Sequence, residues 1–153
     1  MNIEVTHQKP ETAVAVKRLA ITMDEIANVA TEGLGKVFAY LAEKGVQISG
    51  APYLAYMNGN EDFSKFDVEM GIPVEQNFDV SGEFFISRTC EGRAVCATHK
   101  GAYKDVEVVY VALMGYLAEN GLESTGVYYD YYINDPANTP ESELLTQVVF
   151  PIK

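Results

Sequence analysis

The fold follows from two stretches, YLAEKG at Tyr40–Gly45 and YLAENG at Tyr116–Gly121. They lie 76 positions apart, and the same offset carries Gly50 onto Gly126, Tyr53 onto Tyr129 and Tyr56 onto Tyr132. With two further residues inserted, GIPV at Gly71–Val74 falls on VFPI at Val149–Ile152. One hexapeptide match could be chance. Matches that continue through a helix end, a turn and two strands indicate a duplicated strand, helix, strand, strand unit.

Local patterns fill in that unit. ETAVAVK at Glu11–Lys17 reads as a short strand. Thr22 stands three residues before Glu25, the spacing of a capping box, and a helical stripe of Ile26, Val29, Ala30, Val37, Phe38 and Leu41 runs on to Gly45. Gly33 and Gly35 weaken its middle, so a break or bend is expected near Thr31 to Gly35. PYLAYMN at Pro52–Asn58 and the alternating FDVEMGIPV at Phe66–Val74 supply two more strands, and Glu75–Glu83 reads as a polar connection. In the second half, VCATHK at Val95–Lys100 is a strand. Asp105–Asn120 is a helix with Val106, Val109, Tyr110, Leu113, Met114 and Leu117 inward, and VYYDYYI at Val127–Ile133 and LTQVVFPI at Leu145–Ile152 are strands.

The expected fold is therefore α+β: two halves, about residues 1–78 and 79–153, whose sheets join about a pseudo-two-fold axis as one domain. Both helices would cover one face of the antiparallel sheet, leaving a ligand cleft on the other.

Composition narrows the function. The 153 residues are 48% hydrophobic and 22% charged, as in a globular chain, and a formal net charge of −11 repels phosphate backbones, which argues against direct nucleic-acid binding. Cys90 and Cys96 are too few for a disulfide scaffold, and no apolar run resembles a signal peptide or membrane span. A soluble, cytoplasmic protein is the expectation. Ten Tyr with no Trp raise the question of where those rings converge.

Strand parity suggests an answer. Val127, Tyr129, Tyr131 and Ile133, with Ala51, Tyr53, Ala55 and Met57, form the more apolar set, expected under the helices. The opposite parity carries Tyr128, Asp130 and Tyr132, together with Leu54 and Tyr56, and Glu69 from the neighbouring strand. Tyr103 after the Gly101 turn and Phe84 are candidate walls. Tyr rings supply stacking and cation–π contact while Asp130 or Glu69 supplies a counter-charge, a set suited to a lipophilic cationic aromatic molecule. A solvated sheet face would show the same alternation, and both readings stand on the residues alone.

Other chemistry has less support. A carboxylate and a Tyr could serve a small-molecule hydrolase. His99 and Cys96 have opposite strand parity, which speaks against a shared metal, and phosphate-loop, dinucleotide and HExxH patterns are missing. No catalytic residue, metal or cofactor is assigned. The acidic exterior also suits a protein partner with a basic surface.

AVCATHKGAYKDV at Ala94–Val106, LAENG at Leu117–Gly121, YYDYYINDP at Tyr128–Pro136 and VVFPI at Val148–Ile152 together resemble the bacterial transcription-activator effector-binding domain, also called the gyrase-inhibitor-like small-molecule-binding domain. The resemblance covers essentially the whole chain. It implies the duplicated fold and the binding of hydrophobic or cationic drugs between the halves. The family's E-x-Y-x-x-D-P motif falls on Tyr132 and Asp135-Pro136, with Asp130 at the acidic position, so the charge is kept but withdrawn by one methylene. Many such domains follow a DNA-binding module. Here a sheet strand begins near Glu11, so the resemblance implies a free-standing domain that binds or senses a ligand, with gyrase-inhibitor-like action through a protein partner as an alternative.

Overall fold

The computed structural model describes residues 1–153. The elements, in chain order, are β1 (Glu4–Gln8), β2 (Thr12–Ile21), α1 (Ile26–Lys44), β3 (Tyr53–Met57), β4 (Phe66–Pro73), β5 (Phe85–Arg88), β6 (Gly92–Lys100), α2 (Glu107–Glu119), β7 (Tyr128–Tyr132) and β8 (Leu145–Pro151). The protein is thus α+β, with antiparallel strands and two α-helices. No helix is long and apolar enough to cross a membrane. Two compact units are present: Pro10–Thr89, and Met1–Lys9 together with Cys90–Lys153.

In the Pro10–Thr89 unit the strands lie in the order β3, β4, β2, β5. The register aligns Leu54 with Met70 and Met70 with Val16, and their side chains share the face covered by α1. No break interrupts α1, which runs continuously from Ile26 to Lys44. Gly33 lets the helix approach β4 closely: a Cβ there would overlap Met70 Sδ. The capping box is half formed. Glu25 accepts from the Thr22 N–H at 2.9 Å, but the Thr22 hydroxyl donates to the same carboxylate at 3.0 Å instead of accepting a helix-end amide.

In the other unit the order is β1, β6, β8, β7. Val109, Leu113 and Leu117 of α2 pack on Val95, Ala97, Val148 and Phe150. Met114, expected inward, is exposed, as are Val108 and Val111. With apolar residues on every side, α2 offers no polar face from which the buried side could be read.

Each unit repeats the same local bonds. The Val46 N–H reaches Leu41 O at 3.0 Å and the Leu122 N–H reaches Leu117 O at 2.9 Å, closing the two helices at Gly45 and Gly121, both left-handed. The bridges Ile48 to Val74 and Ser124 to Ile152 also correspond. Two strands were not anticipated. β1 has a largely exposed, polar sequence and pairs along β6, where His7 lies opposite Arg93, while β5 has only four residues.

Candidate functional site

The β7–β8 register sets which tyrosines face α2. Tyr129 is paired with Val149 and Asp130 with Val148, so Asp130 shares the face of Val148 and Phe150, beneath α2. Tyr128 packs edge-on to Phe150 at 4.7 Å and Tyr110 of α2 does so at 5.2 Å. Tyr129 and Tyr131, expected under the helix, lie on the opposite face with Cys90, Cys96 and Val149, their rings stacked at 5.7 Å. Aromatic residues occupy both parities of β7, so hydropathy could not choose between its faces. The apolar parity of β8 makes the choice.

Asp130 is 3% exposed, an uncommon setting for a carboxylate. The Tyr110 hydroxyl donates to its Oδ1 at 2.5 Å, so α2 supplies a donor to a charge held on β7. Further along the same face, the Tyr132 ring lies 5.0 Å from that of Tyr103. Burial, reinforced by the Asp130 carboxylate, holds the Tyr132 hydroxyl well above the ordinary tyrosine range, and burial followed by Asp135 pushes Tyr103 up. Both phenols are therefore neutral donors at physiological pH.

The Asn134-Asp135-Pro136 turn fixes the end of this strand. Asp135 accepts from the Ala137 N–H at 2.8 Å and from Asn138 Nδ2 at 2.9 Å. Asn134 Oδ1 accepts from the Leu145 N–H at 2.9 Å, tying the end of β7 to the start of β8. That join seats Thr146 opposite Tyr132, with His99 as its other cross-strand neighbour. His99 Nε2 lies 2.9 Å from Ala102 O; a carbonyl only accepts, so the bond requires the proton on Nε2.

The candidates in the Pro10–Thr89 unit do not form one group. Leu54 and Tyr56 lie on the α1 side, where Tyr56 meets Phe66 edge-on at 5.5 Å. Glu69 pairs with Ala55 and so projects from the opposite face, unlike the expected grouping with Tyr56. Its Oε2 accepts from Tyr53 at 2.6 Å and from Ser87 at 2.7 Å. Phe84 stacks on Tyr40 of α1 at 3.9 Å, in the segment leading into β5, and β4 and β2 separate β5 from β3.

Sequence reasoning treated Tyr110 as core and did not single out Thr146. A tyrosine on a buried helical stripe needs a partner for its hydroxyl, and that requirement was the available signal for Tyr110. Thr146 carried none, because a threonine in a strand is ordinary.

Solved structures share this fold. The C-terminal domain of EcmrR superposes with a TM-score of 0.84 at 18% identity, covering 99% of this chain and 97% of that one. EcmrR in its DNA complex gives 0.85 at 16%, with 99% of this chain covered; the chain spans 57% of that larger protein. SAV2435 bound to tetraphenylphosphonium gives 0.68 at 12%, covering 100% and 94%. A hydrolase from Listeria innocua gives 0.66 at 13%, covering 99% and 91%. No curated protein matches the chain in sequence. The sequence pattern of one family runs through residues 1–153, in agreement with the repeat and the strand order: the chain belongs to the GyrI-like small molecule binding domain family.

Proposed function

We propose that this small-molecule-binding domain binds or senses a lipophilic aromatic cation, with Asp130 as counter-charge and the rings of Tyr128, Tyr132 and Tyr103 as the apolar surround. The observation that carries the reading is a carboxylate only 3% exposed beneath aromatic rings. A carboxylate shielded from water attracts a cation more strongly than an exposed one, and the neighbouring rings favour a cation that brings its own apolar surface. Glu69 is the weaker candidate, since it projects from the sheet face opposite Leu54 and Tyr56. The same fold in a protein bound to tetraphenylphosphonium supports the choice of ligand class.

The test is a fluorescence titration with a panel of cationic aromatic dyes, followed by recovery of the ligand. Saturable binding with the dye recovered unchanged is expected. Protein-dependent conversion to a product would replace the binding reading with a catalytic one, and lack of saturable binding by any cation would refute it.

A further inference from the structure

Two hydroxyls on the α2-covered face have no hydrogen-bond partner although their oxygens are buried: Thr146 Oγ1 and Tyr103 Oη. Thr146 is 1% exposed. A buried hydroxyl left unpaired gives up its hydration for no bond in return, and native folds keep few of them. Valine at 146 and phenylalanine at 103 would fill nearly the same space without that cost. Here two such hydroxyls flank one ring: Thr146 lies opposite Tyr132 across the β7–β8 pair, and Tyr103 packs against Tyr132 at 5.0 Å. A polar arrangement that lowers stability, placed beside a buried carboxylate, is characteristic of a binding surface.

We propose that Thr146 and Tyr103 form a neutral hydrogen-bonding subsite for a hydroxyl, carbonyl or amide of the ligand whose charge is met by Asp130. The inference rests on the binding reading above and adds a requirement to it: the ligand is a cation with an uncharged polar group, not a bare hydrocarbon cation. Asp130 and Tyr132 are two residues apart on one face of β7, a rise of about 7 Å along the strand, so the subsite around Tyr132 is offset along the sheet from the charge. Burial first, and then the Asp130 charge, raises the proton affinity of Tyr132, and burial first, and then Asp135, that of Tyr103. That negative field disfavours an anionic group and accepts a neutral one. Hydroxyls both donate and accept, so the subsite tolerates either polarity of hydrogen bond.

The probes are tetraphenylphosphonium and (3-hydroxyphenyl)triphenylphosphonium, titrated calorimetrically against the wild-type chain, Thr146→Val and Tyr103→Phe. The hydroxylated probe is expected to bind the wild type about fivefold more tightly, the equivalent of one net hydrogen bond. Each variant is expected to bring the ratio of the two affinities close to one. Equal affinities in the wild type, or a ratio that neither variant changes, would overturn the subsite while leaving cation binding intact. Failure of both probes to bind would overturn the cation reading and the subsite together. Thermal melting gives a second readout: Thr146→Val should melt no lower than wild type, since it removes an unpaired hydroxyl. A clearly lower melting temperature would show that the fold itself uses that hydroxyl and would contradict the proposal.

Discussion

Tyr110 of α2 and Asp130 of β7 are joined by a 2.5 Å hydrogen bond from the phenol to the carboxylate, which couples the helix to the buried charge. Tyr110→Phe keeps the ring against Phe150 but removes that donor. We expect a loss of about 1–3 kcal/mol in unfolding free energy by chemical denaturation. Wild-type stability in this variant would mean that the bond contributes nothing.

Alkaline pH should weaken the fold through protons that the native state holds too tightly. Burial pushes the Cys90 thiol up to about 11, from an ordinary 9.0, and the Tyr132 hydroxyl is also raised. A group with a raised native value stabilises fully below its unfolded value, and that contribution is lost as pH climbs through the native one. The melting temperature should therefore fall from about pH 9 to about pH 11, and less steeply in Cys90→Ala. An unchanged slope in that variant would remove the thiol from the account.

The helix α1 depends on a missing side chain. A Cβ at Gly33 would overlap Met70, which is fully buried, so Gly33→Ala should cost about 1–3 kcal/mol in overpacking, partly offset by up to about 1 kcal/mol of helix propensity. In a double-mutant cycle with Met70→Ala the two losses should be less than additive. Strict additivity would show that the contact is not the cause.

These residues also show where sequence reading succeeds. The repeat was legible because helix closure and strand bridging recur with side chains that keep their spacing, as at Gly45 and Gly121. The role of Gly33 was not, because glycine serves helix breaking and close approach equally well, and only the partner Met70 in an unbroken helix distinguishes them. Asp130, Tyr128 and Tyr132 were correctly grouped on one face, yet that face was assigned to the wrong side, since β7 is aromatic in both parities and β8 decides. Glu69 was grouped with Tyr56 because parity within one strand says nothing about register between two. The pairing of Ala55 with Glu69 fixes that register.

Glu69 gives a separate check on how the carboxylates divide their roles. With Tyr53 and Ser87 both donating to it, Glu69→Gln should lower stability, by about 1–3 kcal/mol in denaturant titration, and leave cation affinity within about twofold of wild type. A large loss of affinity with unchanged stability would reverse that assignment.

The most direct measurement compares an aromatic quaternary ammonium ion with its neutral tert-alkyl isostere, each titrated calorimetrically against the wild-type chain and against Asp130→Asn. With Asp130 as counter-charge, the variant should keep its fold and lose about 1–3 kcal/mol of cation affinity, roughly 5- to 150-fold, while affinity for the neutral isostere changes little. Equal losses for the two ligands would contradict the account.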